Sequence, residues 1–146
     1  MKVVHALKPL PKSIFLAGPT PRDSSVTSWR HEALRILEAL HFKGEVFVPE
    51  SDDWAPHDNY YGQIDWELRA LNRASVIAFW IPRDIATMPA FTTNVEYGLY
   101  ISSGKVVVGW PKEAPKTKYL EHLALTRDIP IHNTLEGLLE RAANKA

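Results

Sequence analysis

The chain of 146 residues contains no cysteine. This absence excludes disulfide bonds, thiolate nucleophiles and cysteine-ligated zinc. Long apolar runs are also missing, so no segment of the sequence is expected to span a bilayer. The first eleven residues lack the continuous apolar core of a signal peptide. We therefore expect a cytoplasmic protein with no membrane partner.

An excess of either charge is absent as well. Lysine plus arginine and aspartate plus glutamate both number 17, so the net charge is zero. Nucleic acids and anionic membranes attract a basic surface, so neither is the expected partner. Near-zero charge gives little repulsion between copies and is compatible with a homo-oligomer. The 6 histidines show no HExxH or paired-ligand spacing, and no metal site is expected.

Short apolar runs alternate with helical patterns along what we take to be a single domain, residues 1–146. Strands are expected at residues 13–17, 45–48, 75–81, 105–110 and 129–131. Strands that alternate with helices predict a parallel sheet covered on both faces. The expected fold is therefore α/β, a flavodoxin-like doubly wound five-stranded parallel sheet in the order 2-1-3-4-5.

One carboxylate, Glu96, follows a buried strand and its loop and begins a helical segment. In doubly wound sheets ligands bind outside the carboxyl ends of the strands, which is where this residue is expected. A helix N-terminus favours negative charge, so we expect Glu96 to stay ionised and able to attack an electrophile. The alternative is structural, because Thr93 and Glu96 also match a capping box that only starts a helix.

A second carboxylate, Glu67, lies on the apolar face of the preceding helix. It follows Ile64 by three residues and precedes Leu71 by four, and no cation stands at helical spacing after it. Buried carboxylates are rare and tend to have a raised pKa, so Glu67 is a candidate proton donor. The alternative is a half-exposed residue at the edge of that face.

The remaining candidates surround the same edge of the sheet. The stiff turn at Gly18-Pro19 suits a pocket wall, and Arg22, Ser24 and Ser25 could hold an anion at a helix start. The aromatic and acidic loop over residues 50–61 suits a flat ring, or else packs on a neighbouring subunit. Asp65 has Arg69 four residues on, and an ion pair explains it adequately. The candidate substrate-binding residues are Phe15, Gly18, Pro19, Asp53, Asp65 and Asn94.

Three segments together resemble the nucleoside 2-deoxyribosyltransferases. Residues 14–19, Ile-Phe-Leu-Ala-Gly-Pro, resemble that family's first strand and turn. Residues 67–75 are similar to its acidic helix leading into the third strand. Residues 93–98, Thr-Asn-Val-Glu-Tyr-Gly, followed by residues 104–108, resemble its nucleophile helix and next strand. The match spans residues 14–110.

The resemblance implies that Glu96 attacks the anomeric carbon of a 2′-deoxynucleoside and that Glu67 protonates the departing base. A second free base would then take the deoxyribose from the enzyme. The two carboxyl groups would follow the logic of retaining glycosidases, with no metal or organic cofactor. Partners would be nucleosides, free nucleobases and further copies of the chain.

Two departures from the family pattern concern the base and the sugar. Phe15 stands where the family often has tyrosine, so one hydroxyl is missing. The family's Asp-x-Gly-Thr is replaced by Ala90-Phe91-Thr92-Thr93, which lacks the base-recognising aspartate. Either Asp84 or Asp53 substitutes for it, or the base specificity differs.

Two alternative functions remain open on the sequence. One is a hydrolase of nucleosides or their 5′-monophosphates. The other is a catalytically silent nucleotide-binding module, in which Glu96 only caps its helix.

Overall fold

The computed structural model describes residues 10–50 and 60–146, and in these two ranges five strands alternate with five helices. The strands are β1 Ser13–Ala17, β2 Glu45–Phe47, β3 Val76–Trp80, β4 Val106–Gly109 and β5 Ile131–His132. The helices are α1 Trp29–Ala39, α2 Tyr60–Arg73, α3 Phe91–Tyr100, α4 Lys118–Leu125 and α5 Leu135–Lys145. None of these helices is long and apolar enough to cross a membrane.

The five strands form one parallel sheet in the order β2-β1-β3-β4-β5. This confirms the predicted doubly wound α/β fold and its strand order. Strands β1, β3 and β4 are buried along their whole length, as continuous apolar runs predict for strands covered on both faces. The carboxyl ends of β1 and β3 lie side by side, since Ala17 pairs with Phe79, and this is the point where the strand order reverses.

Two apolar layers hold the helices against the sheet. Helices α1 and α5 pack on one face through Ala33, Leu37 and Leu138. Helices α2, α3 and α4 cover the other face, where Leu71 and Tyr97 belong to a second cluster. Alternate residues of each strand supply the two clusters, because successive side chains in a strand point to opposite faces. Full burial of each large apolar side chain stabilises the fold by about 1.5–3 kcal/mol.

Helix α1 starts later than the serines at 24 and 25 predict. Its N-cap is Ser28, whose Oγ accepts a hydrogen bond from the Arg30 backbone N–H at 3.2 Å. Ser25 instead donates its backbone N–H to the Asp23 carboxylate at 2.8 Å. Ser24 and Ser25, which the sequence places at a helix start, therefore lie before the helix, in a turn closed by Asp23.

Helix α3 also begins differently, and the capping-box interpretation of Thr93 is wrong. The helix starts at Phe91, after Ala90 in the left-handed conformation with φ of 63° and no side-chain cap. Thr93 lies inside the first turn and is buried. Left-handed alanine costs roughly 1–2 kcal/mol, and such strain concentrates at functional sites.

Candidate functional site

A cavity of about 420 Å³ opens at the carboxyl ends of β1 and β3. Its walls come from the turn after β1, the segment after β2, the first half of α2 and the start of α3. The lining residues in the described part of the chain are Gly18 to Arg22, Arg30, Pro49, Glu50, Tyr60, Gln63, Ile64, Glu67, Pro89 to Thr93 and Glu96. The volume falls within the range of small-molecule sites, which is about 300–1,000 Å³.

Glu96 and Glu67 line this one cavity from different helices, α3 and α2. Burial and the negative charge of Glu67 raise the pKa of Glu96 to about 7, against the lowering effect of Arg30. Glu96 lines the cavity, and its carboxyl group accepts no hydrogen bond from the residues that the structure describes. The expectation that a helix terminus keeps Glu96 ionised is corrected, because Glu96 lies in the second turn of α3 and the dipole acts mainly over the first.

Glu67 is half-buried and has a defined neighbour. Burial raises its pKa, while a hydrogen bond from Gln63 Nε2 at 3.0 Å and the charge of Arg30 lower it. Both carboxyl groups thus have raised pKa values in one cavity. The charge of Glu67 is one cause of the raised pKa of Glu96, so the two groups titrate as a coupled pair.

Arg30 is the buried cation of the cavity, with 2% of its side chain exposed. Nε donates to the Leu16 carbonyl at 3.0 Å, and Nη2 donates to the Gly18 carbonyl at 2.6 Å. Nη1 donates to Thr20 Oγ1 at 3.1 Å. The turn after β1 is therefore built around a fixed positive charge.

Sequence reasoning missed Arg30. A usable signal exists, because Arg30 stands three residues before Ala33 and seven before Leu37, on the face that α1 buries. A charged residue on an apolar helix face is the same signal that identified Glu67.

Glu50 is the second residue that sequence reasoning missed, since it was grouped with the loop that follows it. Its Oε1 accepts hydrogen bonds from Arg30 Nη1 at 2.6 Å and from Ser28 Oγ at 2.7 Å. Because Ser28 caps α1, the Glu50 carboxylate lies at the N-terminus of that helix. Strand β2 brings it there from the edge of the sheet.

Gly18 and Pro19 line the cavity, where they were predicted. A Cβ on Gly18 would lie 2.1 Å from the Trp80 carbonyl oxygen, so only glycine fits where the chain leaves β1 beside the end of β3. The Pro19 carbonyl accepts a hydrogen bond from Trp29 Nε1 at 3.0 Å, which fixes the turn.

Three predicted substrate-binding residues do not line the cavity. Phe15 is fully buried in the middle of β1, with its ring centroid 6.5 Å from that of Trp66. Asn94 accepts a hydrogen bond from Arg83 Nη2, on the side of α3 that faces the loop before α4. Asp65 is exposed, one helical step from the face that bears Ile64.

Other predictions around the site have mixed outcomes. The ion pair expected between Asp65 and Arg69 does not form. Asp84, a suggested substitute for the family aspartate, accepts bonds from the Ala86 and Thr87 amides at 3.0 and 2.9 Å and does not line the cavity. Arg22 lines the cavity, whereas Ser24 and Ser25 do not.

Asp53 and most of the aromatic loop lie outside the described residues. Among residues 10–50 and 60–146, no three histidine, aspartate or glutamate side chains are grouped so that they would hold a metal ion.

The geometry combines an open carboxyl group, a second carboxyl group that can carry a proton, and a fixed cation. Such a pair suits displacement at a carbon that develops positive charge, with one carboxylate attacking and one acid protonating the leaving group. The model of the family described as nucleoside 2-deoxyribosyltransferase like matches residues 11–114 of the chain. No curated protein sequence matches the chain.

Proposed function

The chain belongs to the nucleoside 2-deoxyribosyltransferase-like family, and from this premise we propose that it transfers 2-deoxyribose between purine or pyrimidine bases. The observation that carries the proposal is the placement of Glu96 and Glu67 in one cavity with raised pKa values. Family membership supports the general class of reaction, and the two carboxyl groups support the double-displacement route.

In the first step the ionised Glu96 carboxylate attacks C1′ of the nucleoside. The electrons of the C1′–N bond pass to the base, which takes a proton from the Glu67 carboxyl group. In the second step a nitrogen of the incoming base attacks C1′ and releases Glu96, and the Glu67 carboxylate accepts the proton of that base. Both carboxyl groups return to their starting states, as microscopic reversibility requires.

The cycle needs one particular protonation state of the pair, with Glu96 ionised and Glu67 protonated. Burial raises the pKa of Glu67, which favours its protonated form. Burial and the charge of Glu67 raise the pKa of Glu96 to about 7, so near neutral pH the cycle proceeds from the fraction of chains in which Glu96 is ionised. The positive charge of Arg30 increases that fraction, because it lowers the pKa of Glu96.

The test is an exchange assay with chromatographic detection. Deoxyadenosine or thymidine is incubated with and without a second free base, using the native chain, Glu96→Gln, and the exposed-surface control Glu140→Gln. A new deoxynucleoside that forms only with the acceptor, and is lost in Glu96→Gln alone, is expected. Free base and deoxyribose as the sole products would instead make the chain a hydrolase. No turnover of any nucleoside or 5′-monophosphate would contradict an enzymatic role.

We also propose that a second copy of the chain covers α3. Phe91, Val95 and Leu99 recur every four residues on this helix and are 71%, 64% and 64% exposed. The exposed side of α3 bears no charged residue, and the chain as a whole has no net charge to oppose association. Phe91 belongs both to this stripe and to the cavity lining, so a copy seated there adjoins the mouth of the site.

A further inference from the structure

The N-terminus of α1 has the parts of an anion site. Helix N-termini after the first strand of doubly wound sheets attract phosphate groups. Here the helix is 11 residues long, and the hydroxyl of its N-cap residue Ser28 and the guanidinium of Arg30 donate hydrogen bonds to one and the same oxygen atom. These groups would suit a phosphate, which binds best to charged and neutral donors that converge.

That anion position is already filled from within the chain. The same oxygen of Glu50 accepts both from Ser28 Oγ at 2.7 Å and from Arg30 Nη1 at 2.6 Å. Only 13% of the Glu50 side chain is exposed, so the carboxylate is held in place and screened little by solvent. A substrate phosphate would have to displace a direct, largely buried ion pair between Arg30 and Glu50.

The charges around the cavity point the same way. Among the described lining residues the cations are Arg22 and Arg30, and the carboxyl groups are Glu50, Glu67 and Glu96. Arg30 is committed to Glu50 and to backbone carbonyls. A dianion attached to the sugar that reacts at Glu96 would therefore meet a cavity with more carboxylates than free cations.

We propose that Glu50 is a specificity-determining residue that occupies the anion position at the start of α1 and restricts the site to unphosphorylated nucleosides. The inference rests on the proposed function for the sugar's position at Glu96. It assigns the substrate class of the site as neutral nucleosides and rejects nucleoside 5′-monophosphates by repulsion. Removal of the carboxylate would leave Ser28 and Arg30 free to bind a phosphate.

The test compares Glu50→Ala with the native chain and with Glu45→Ala, which breaks the exposed ion pair between Glu45 on β2 and Arg73 at the end of α2. Calorimetry at fixed ionic strength measures binding of deoxyadenosine and of deoxyadenosine 5′-monophosphate. The native chain and Glu45→Ala should bind the nucleoside at least about tenfold more tightly than the monophosphate. Glu50→Ala should reduce or reverse that ratio by gaining affinity for the monophosphate.

A second arm uses inorganic phosphate and needs no nucleoside chemistry. Phosphate should raise the melting temperature of Glu50→Ala above that in chloride of equal ionic strength, and should not do so for the native chain or Glu45→Ala. If Glu50→Ala does not fold, Glu50→Gln keeps an acceptor for Ser28 and Arg30, removes the charge, and should show a smaller gain in the same direction.

The proposal is overturned if the native chain binds the monophosphate as tightly as the nucleoside. It is also overturned if a folded Glu50 variant gains no affinity for phosphate in either arm. Absence of nucleoside turnover would contradict the proposed function alone, because the phosphate arm still reports whether Glu50 fills an anion position.

Discussion

Glu96 combines partial burial, an open carboxyl group and a neighbouring carboxylate, and these three properties decide its ionisation. Burial and Glu67 favour the neutral form, whereas Arg30 favours the charged form. A nucleophile with a pKa near 7 is ionised in part at neutral pH and keeps more basicity than an ordinary carboxylate.

Replacement of Glu96 by glutamine should make stability less dependent on pH. The pKa of Glu96 is about 7 in the folded chain, whereas its ordinary value, which applies to the unfolded chain, is 4.5. The folded state therefore binds the proton more tightly than the unfolded state does. The stabilisation of the folded state by this proton is present in full below about pH 4.5 and is lost as pH rises through 7. The free energy of unfolding, measured with urea, should therefore change in favour of Glu96→Gln over the native chain by about 2–3 kcal/mol between pH 4 and pH 8.

Glu140→Gln, on the exposed side of α5, measures what an amide substitution does by itself. A stability difference between Glu96→Gln and the native chain that stays constant from about pH 4 to pH 8 would show that burial does not raise the pKa of Glu96.

Replacement of Glu67 by glutamine should lower the pKa of Glu96. The carboxylate of Glu67 is one cause of the raised value, and glutamine removes the charge while keeping the shape. Carbon-13 titration of the Glu96 carboxyl group, assigned through Glu96→Gln, measures the change. Asp65→Asn, on the exposed side of the same helix, is the control and should leave the pKa of Glu96 unchanged. An unchanged titration midpoint of Glu96 in Glu67→Gln would mean that the charge of Glu67 does not affect the pKa of Glu96.

Among the secondary-structure elements, α2 and α3 place the two carboxyl groups, and their ends are fixed by residues distant in sequence. Lys105 Nζ, just before β4, donates to the carbonyls of Leu71, Asn72 and Ala74 at 2.6, 3.0 and 2.9 Å. A cation at a helix C-terminus also interacts favourably with the helix dipole. Lys105 therefore anchors the end of α2 to the sheet.

Replacement of Lys105 by methionine should destabilise the fold by about 1–3 kcal/mol, since three carbonyls lose a charged donor. The change is measured as a lower urea midpoint at pH 7. Lys118→Met, which removes an exposed ion pair with Glu121, serves as the control and should cost less than about 1 kcal/mol. Equal effects of the two substitutions would contradict the anchoring role.

Elements were predictable from the sequence where local pattern decides, and less so where distant contacts decide. Apolar runs located all five strands, and the signal is plainest for β1, β3 and β4, which are buried on both faces. The start of α3 was missed because Ala90 adopts a left-handed conformation that no residue preference indicates. The pairing of Arg30 with Glu50 was missed because it joins α1 to the segment after β2, 20 residues apart in sequence.

The sequence placed the site itself better than its periphery. Glu96, Glu67, Gly18 and Pro19 line one cavity, because the strand order brings the corresponding segments to the same edge of the sheet. Phe15 was assigned to the substrate from its place on the first strand, yet the middle of a central strand faces the core. In the segment around β1, the cavity is lined by residues that follow the strand, such as Gly18, and not by residues within it.

At the scale of the whole molecule, the exposed apolar stripe on α3 predicts association. The chain should be a dimer or larger at micromolar concentration by light scattering. Val95→Glu places a charge at the centre of the stripe and should give a monomer, because burying an unpaired charge at an interface is costly. Leu34→Glu on α1, across the sheet, should leave the oligomer intact. A native chain that is monomeric at this concentration would contradict the proposed interface.

The central claim is that Glu96 carries the deoxyribosyl group between the two bases. The most direct measurement is mass spectrometry of peptides from protein quenched in acid during turnover of deoxyadenosine. The peptide that contains Glu96 should gain the mass of one deoxyribosyl group, and Glu96→Gln should show neither this added mass nor exchange activity. Exchange of bases at an undiminished rate in Glu96→Gln, or an adduct on another residue, would contradict it.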